Sequence, residues 1–209
     1  MPKSPAESSS TKGEQSRQLI LDAAVERFAA DGFKATKVAD IARHAGVSGT
    51  LAYAYFDNKE DLFRAALDQD AAGVINDGIS SVIDDGSVSV ANRAWRESLI
   101  FTLLDSLDRH PLARRVLAGL EPTAIGRMIE LPALEELRAT MAARLKDEQA
   151  TGTVRPDVDP VAMASGAVSI YISMLMAVVQ FGSAEIERYG PDILAVLAAA
   201  VDPVVPKTG

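Results

Sequence analysis

Apolar residues along this chain recur every three to four positions and almost never every second one. From Gln15 to Asp31 the positions Ile20, Ala24 and Phe28 fall at i, i+4 and i+8, one stripe of an amphipathic helix. Gly32 stands where a left-handed residue would end that helix. Thr36 is suited to cap a second, short helix, Lys37–His44, with Val38, Ile41 and Ala42 facing inward. Ala45-Gly46-Val47 makes a tight turn, and Ser48 caps a third helix that reaches Tyr55. Asp57 with Glu60 has the spacing of a capping box at the head of a long fourth helix. Its buried stripe is Leu62, Phe63, Ala66, Leu67 and Val74.

Asp84-Asp85-Gly86 reads as a turn that opens the C-terminal part. Beyond it the pattern predicts helices over Ser89–Leu107, Pro111–Ala118, Pro132–Ala150, Pro160–Phe181 and Pro191–Val201. Four of these begin with proline at the first helical position, where the missing N–H costs nothing, and Gly119, Gly152 and Gly182 stand at the stops. With no strand alternation and no internal repeat, the expected fold is all-α. The expected organisation is a disordered arm over 1–13, a small helical domain over 14–74 and a larger one over 75–209. The arm is rich in Ser, Pro and Gly and has no apolar core of a secretory signal.

Composition narrows the chemistry. The 209 residues include no cysteine, which excludes disulfides, thiolate metal sites and cysteine nucleophiles. Histidine occurs only at His44 and His110, with no third ligand nearby, so neither a metal nor a cofactor is expected. The carboxylate pairs Asp84/Asp85, Glu135/Glu136 and Asp157/Asp159 lie on turns or polar helix faces. Nothing resembles a nucleophile elbow, a P-loop or a dinucleotide fingerprint, so no catalytic residue and no enzymatic activity are expected. The net charge of −8 is unevenly spread. Residues 1–64 hold nine Lys/Arg and nine Asp/Glu, whereas residues 65–209 hold twelve and twenty. The acidity belongs to the C-terminal part, which leaves the N-terminal part free to present a locally basic face.

Two short helices joined by a glycine-containing turn, behind a longer first helix, form a helix-turn-helix over about residues 37–56. The second helix of such a pair must be slim enough to enter a major groove ~12 Å wide. Residues 15–67, about a quarter of the chain, resemble the DNA-binding domain of the TetR family of bacterial transcriptional regulators. The resemblance rests on Ile20-Leu21-Asp22-Ala23-Ala24, Phe28, Gly32-Phe33, Thr36, Ile41-Ala42, Ala45-Gly46-Val47-Ser48, Tyr53, Tyr55-Phe56 and Lys59-Glu60-Asp61-Leu62. It implies that Thr36, Lys37 and Lys59 meet backbone phosphate, and that Ser48 caps the recognition helix. It also implies that Gly49, Thr50 and Leu51 lie nearest the bases, and that Tyr53 and Tyr55 offer hydroxyls to phosphate while their rings cover the core. Phe56 is read as core.

Where the family commonly has Ser-Lys-Gly-Thr-Leu-Tyr, this chain has Ser48-Gly49-Thr50-Leu51-Ala52-Tyr53. No residue from Gly49 to Ala54 can make a bidentate hydrogen bond to a base, so weak direct readout is expected. Thr50 and Leu51 would touch thymine methyls, and DNA shape would supply the remainder.

Val161 to Gly182 runs for 22 residues without a charge. Its serines and acidic flanks argue against a membrane span, so the protein is expected to be cytoplasmic with no membrane partner. A helix apolar all round is otherwise covered on every side. Ser165, Ser169, Ser173 and Ala177 recur every four positions and, with Ile193 and Leu197 of the last helix, are the expected homodimer interface. The resemblance implies the same, with two recognition helices ~34 Å apart on a roughly palindromic stretch of double-stranded DNA. Trp95, Leu99, Phe101, Leu103, Met128, Met141, Tyr171 and Met174 are candidates to line a pocket for a small apolar effector, with Arg96 or Arg127 facing any acidic group on it. The expected function is a sequence-specific DNA-binding transcriptional regulator, a repressor released by that effector. The alternative is a helical ligand-binding or enzymatic protein that has lost DNA binding, supported only by the Gly49–Ala52 run.

Overall fold

Every regular element among the described residues is a helix. The computed structural model describes residues 12–84, 94–182 and 184–203. The order is α1 (Lys12–Ala35), α2 (Val38–His44), α3 (Gly49–Tyr55), α4 (Lys59–Asp84), α5 (Ala94–Ser106), α6 (Pro111–Leu117), α7 (Ile125–Ile129), α8 (Pro132–Ala150), α9 (Pro160–Phe181) and α10 (Ala184–Val201). The chain divides into two compact units, Met1–Asp70 and Ala71–Gly209.

In the first unit the stripe Ile20, Ala24 and Phe28 is fully buried, together with Ile41, Ala52, Leu62, Ala66 and Leu67. Phe28, Phe33 and Phe63 cluster, Phe63 standing edge-on to the other two at ring distances of 5.0 and 5.1 Å. Gly32 interrupts α1 with φ 80, ψ 165, the break that the sequence places there.

Two caps differ from expectation. Thr36 does not cap α2. It is 2% exposed, and its hydroxyl donates to the Gly32 carbonyl at 2.7 Å, closing the end of α1. Lys37 takes the extended N-cap position instead, with no side-chain bond, and α2 begins at Val38. At the head of α4 the acceptor is Asn58 Oδ1, which receives Asp61 N–H at 2.7 Å; it sits three residues back from that amide, as a cap must.

In the second unit α8 and α9 pack along each other, and α9 also touches α5, α6 and α10. Trp95, Leu99, Ile100, Leu107, Leu112, Leu137 and Met141 are its largest fully buried side chains. Gly119, Gly152 and Gly182, expected at helix stops, have φ of 76, 78 and 98. Helix α10 starts at Ala184, earlier than predicted, and runs through Pro191, whose ring does not stop it. Helix α7 was not expected, because five residues are too short to show a period. The predicted start at Ser89 and the residues Asp85 and Gly86 lie outside the described residues; Asp84 ends α4.

Helix α9 departs from the expectation that it is covered all round. Ala164, Ala167, Val168, Tyr171, Met174 and Leu175 are buried, but Val161 is 66% and Phe181 74% exposed. It is also the one described helix long and apolar enough to cross a membrane, with a third of its most apolar window buried.

Candidate functional site

The helix-turn-helix is built from backbone bonds that leave little freedom. Ala45 N–H donates to Ile41 O at 2.9 Å and Val47 N–H to Ala42 O at 2.9 Å, with Gly46 between them at φ 70. That positive φ is where only glycine is free of strain. Ser48 is the N-cap of α3, its Oγ accepting Leu51 N–H at 3.2 Å. Ala52 is 0% exposed and anchors α3 against the first unit's core, while Phe56 is 3% exposed. With Ala52 pinned inward, α3 turns Thr50, Tyr53 and Ala54 to the outside, and Gly49 and Leu51 are half-buried. Ala54 escaped the sequence reading, although its spacing of four from Thr50 is a helical-face signal.

The tyrosines separate. Tyr53 is 57% exposed and covers little of the core, whereas Tyr55 is half-buried. Among the expected phosphate contacts, Lys37 is exposed at the N-cap of α2. Thr36 is not available in the expected way, since its buried hydroxyl donates to Gly32 O and, at 3.3 Å, to Arg27 O. Lys59 Nζ donates to the carbonyls of Phe33 at 2.9 Å and Thr36 at 3.2 Å and lies 4.3 Å from the Phe33 ring centroid. It ties the head of α4 to the end of α1, and only one of its three N–H donors is left for a phosphate. Arg43 is a cation that sequence reasoning passed over. Its side chain is 77% exposed on α2, bonded to Asp40 at 2.8 Å. Gly49 has open space where a Cβ would stand, so nothing in the unbound fold requires glycine there.

In the second unit a cavity of about 50 Å³ lies within a solvent-open hollow of about 580 Å³. Helices α4, α5, α6, α8 and α9 form its walls, and Ile125, Met128 and Ile129 of α7 close one side. Of the residues expected there, Leu103, Met128 and Tyr171 line it. Trp95, Leu99, Met141 and Met174 are buried outside the lining, and Phe101 is 55% exposed. The α4 contribution, Ala71, Val74 and Ile75, was missed because an inward stripe looks the same whether it meets core or cavity.

Arg96 does not face the cavity. It pairs with Glu148, which also accepts Trp95 Nε1–H at 2.7 Å, and its NH1 lies 3.7 Å from Asp202. The backbone carbonyl of Arg96 accepts the Tyr171 hydroxyl at 3.0 Å. Burial pushes the Tyr171 phenol up to about 12, an effect the Arg96 charge only partly opposes. Arg127 is exposed on α7 and lies outside the lining. On the proposed dimer face, Ser169 and Ser173 are exposed and donate to carbonyls one turn back, while Ser165, Ala177, Ile193 and Leu197 are half-buried. Among the described residues no cluster of His, Asp and Glu could hold a metal.

A capped helix projecting three exposed side chains from a rigid turn is the geometry of a DNA-reading helix-turn-helix protein. Residues 20–66 match the model of the bacterial regulatory proteins of the tetR family. The chain is 43% identical over 53 residues to the HTH-type transcriptional repressor ComR of Escherichia coli, a match spanning 25% of each protein. It is 29% identical over 164 residues to the HTH-type transcriptional regulator YdgC of Bacillus subtilis, covering 71% of this chain and 73% of that one. The crystal structure of a TetR-family regulator from Mesorhizobium loti shares the fold with a TM-score of 0.72 at 23% identity, over 93% of this chain and all of the other. Residues 20–66 thus carry a DNA-binding domain of the tetR family, and over most of its length the chain is similar to DNA-binding transcriptional regulators.

Proposed function

We propose that the protein is a cytoplasmic homodimeric repressor that binds a roughly palindromic operator and is released by a small, largely apolar effector. The observation that carries the effector is the cavity in the second unit, whose wall includes Ala71, Val74 and Ile75 of α4. That same helix begins at Lys59, which is bonded to the carbonyls bracketing the end of α1 in the DNA-binding unit. An effector that binds one conformation of the second unit better than another would shift α4 and lower DNA affinity by that difference alone. The exposed Val161 and Phe181 of α9 and Val196 of α10, at 68% exposure, support pairing with a second copy. In such a dimer Thr50, Tyr53 and Ala54 meet the groove, and Lys37 with Arg43 meets phosphate.

The test is a gel-shift titration with duplex DNA from upstream of the protein's own gene, at several salt concentrations. The expected outcome is a saturable complex with a steep negative salt slope, since each neutralised phosphate releases counterions. Flat or absent binding would leave the alternative, a helical ligand-binding protein without DNA affinity. Sedimentation at micromolar concentration checks the dimer.

A further inference from the structure

The cavity under α7 has a chemistry narrower than a generally apolar one. Among the described residues its lining contains one polar side chain, Tyr171. The Tyr171 proton already goes to the Arg96 carbonyl at 3.0 Å, and burial keeps the phenol neutral up to about pH 12. The side chains of these described residues therefore offer a ligand no hydrogen-bond donor and no charge, only the remaining lone pair of one hydroxyl. An anionic head placed here would lose its water and gain no partner, which neither carboxylate nor phosphate tolerates. The cations that could have served are placed elsewhere: Arg96 is paired with Glu148, and Arg127 is on the exposed outside of α7.

Size points the same way. The cavity, about 50 Å³, holds a few atoms, whereas a dry apolar cavity of ~150 Å³ accepts benzene. The wall best able to give way is α7. None of its five residues is buried, yet Ile125, Met128 and Ile129 all border the cavity. Met128 adds an unbranched side chain that adapts its shape.

We infer that the ligand of this site is a compact, uncharged hydrocarbon, cyclic or branched, seated between α4 and α9 by outward displacement of α7. This rests on the effector reading above and narrows it, because the acidic head of a fatty acid or of an acyl thioester of coenzyme A is excluded from this cavity.

The experiment is calorimetry and thermal melting of the full-length protein with toluene, limonene, octanoate and octanoyl-coenzyme A as probes. At least one hydrocarbon should bind saturably and raise the melting temperature, at least tenfold more tightly than octanoate. Ala71→Phe fills the cavity from α4 and should weaken hydrocarbon binding at least tenfold. If that variant fails to fold, Ile129→Asp serves instead. Ile129 is 49% exposed, so the variant should fold and should lower hydrocarbon affinity by placing a charge at the rim. Tighter binding of octanoate or octanoyl-coenzyme A, or no saturable binding of either hydrocarbon, overturns the inference. The gel-shift separates the two readings. A hydrocarbon that binds without releasing DNA removes the effector role and keeps the ligand class; an acidic amphiphile that binds more tightly and releases DNA does the reverse.

Discussion

Replacing Gly73 with alanine should destabilise the second unit through a single contact. A Cβ built at Gly73, in the middle of α4, would stand 2.1 Å from Cε1 of His110 and 2.8 and 2.9 Å from its two ring nitrogens. Ordinary carbon contacts are ~3.5–4 Å, so the overlap is about 1.5 Å and involves a rigid ring. His110 cannot simply turn away. It is the residue before Pro111, at the N-cap of α6, its side chain is 21% exposed, and its Nε2 lies 4.0 Å from Asp77. Overpacking of this size costs ~3 kcal/mol, and the better helix propensity of alanine returns ~1 kcal/mol. The net loss is ~2 kcal/mol, or ~4–8 °C in melting temperature for a chain of this length.

Thermal melting followed by circular dichroism reads the shift, and His110→Ala supplies the control. Removing the ring should relieve the overlap, so Gly73→Ala in the His110→Ala background should keep only the helix-propensity gain of ~1 kcal/mol. The double-mutant cycle should then give a coupling of ~3 kcal/mol, the overlap itself. Gly49→Ala, where nothing stands within 4 Å, should be neutral or stabilising by up to ~1 kcal/mol. A Gly73→Ala protein as stable as the parent, or equally damaged with and without His110, would refute the reasoning.

Further outcomes follow from the same geometry. Glu148→Ala removes the acceptor of both Trp95 Nε1–H and Arg96 and should lower stability in urea by ~3 kcal/mol, with Glu148→Gln intermediate. Because folding raises the Tyr171 phenol from 10.0 to about 12, the neutral phenol contributes stability that is complete below pH 10 and disappears as the pH rises toward 12. Urea melts at stepped pH should show that decline flattened in Tyr171→Phe. Lys37→Ala should weaken DNA binding alike across sequences and reduce the salt slope by about one, measured by fluorescence anisotropy. Ser48→Ala should cost ~1 kcal/mol through loss of the α3 cap, read as a lower melting temperature of the first unit.

The sequence alone determined the elements that depend on neighbours along the chain. The stripe Ile20, Ala24, Phe28 and the breaks at Gly32, Gly46 and Gly182 are local facts, set by a period of 3.6 and by positive φ. The helices Pro132–Ala150 and Pro160–Phe181 are where the proline starts and glycine stops place them. The α3 face was legible as far as Ser48 and Thr50, because a capped seven-residue helix has few ways to turn. Tertiary structure decided everything that depends on what lies opposite. Thr36 and Lys59 carry polar groups suited to phosphate, but the end of α1 brings Gly32 O and Phe33 O within their reach. Gly73 and Gly78 look like faults in a helix until His110 and Leu103 are found pressed against them. Apolar stripes on α4, α5 and α9 predict burial without saying whether the opposite wall closes. Only the packing of α7 leaves a cavity there, and only the Tyr171–Arg96 bond removes its last donor.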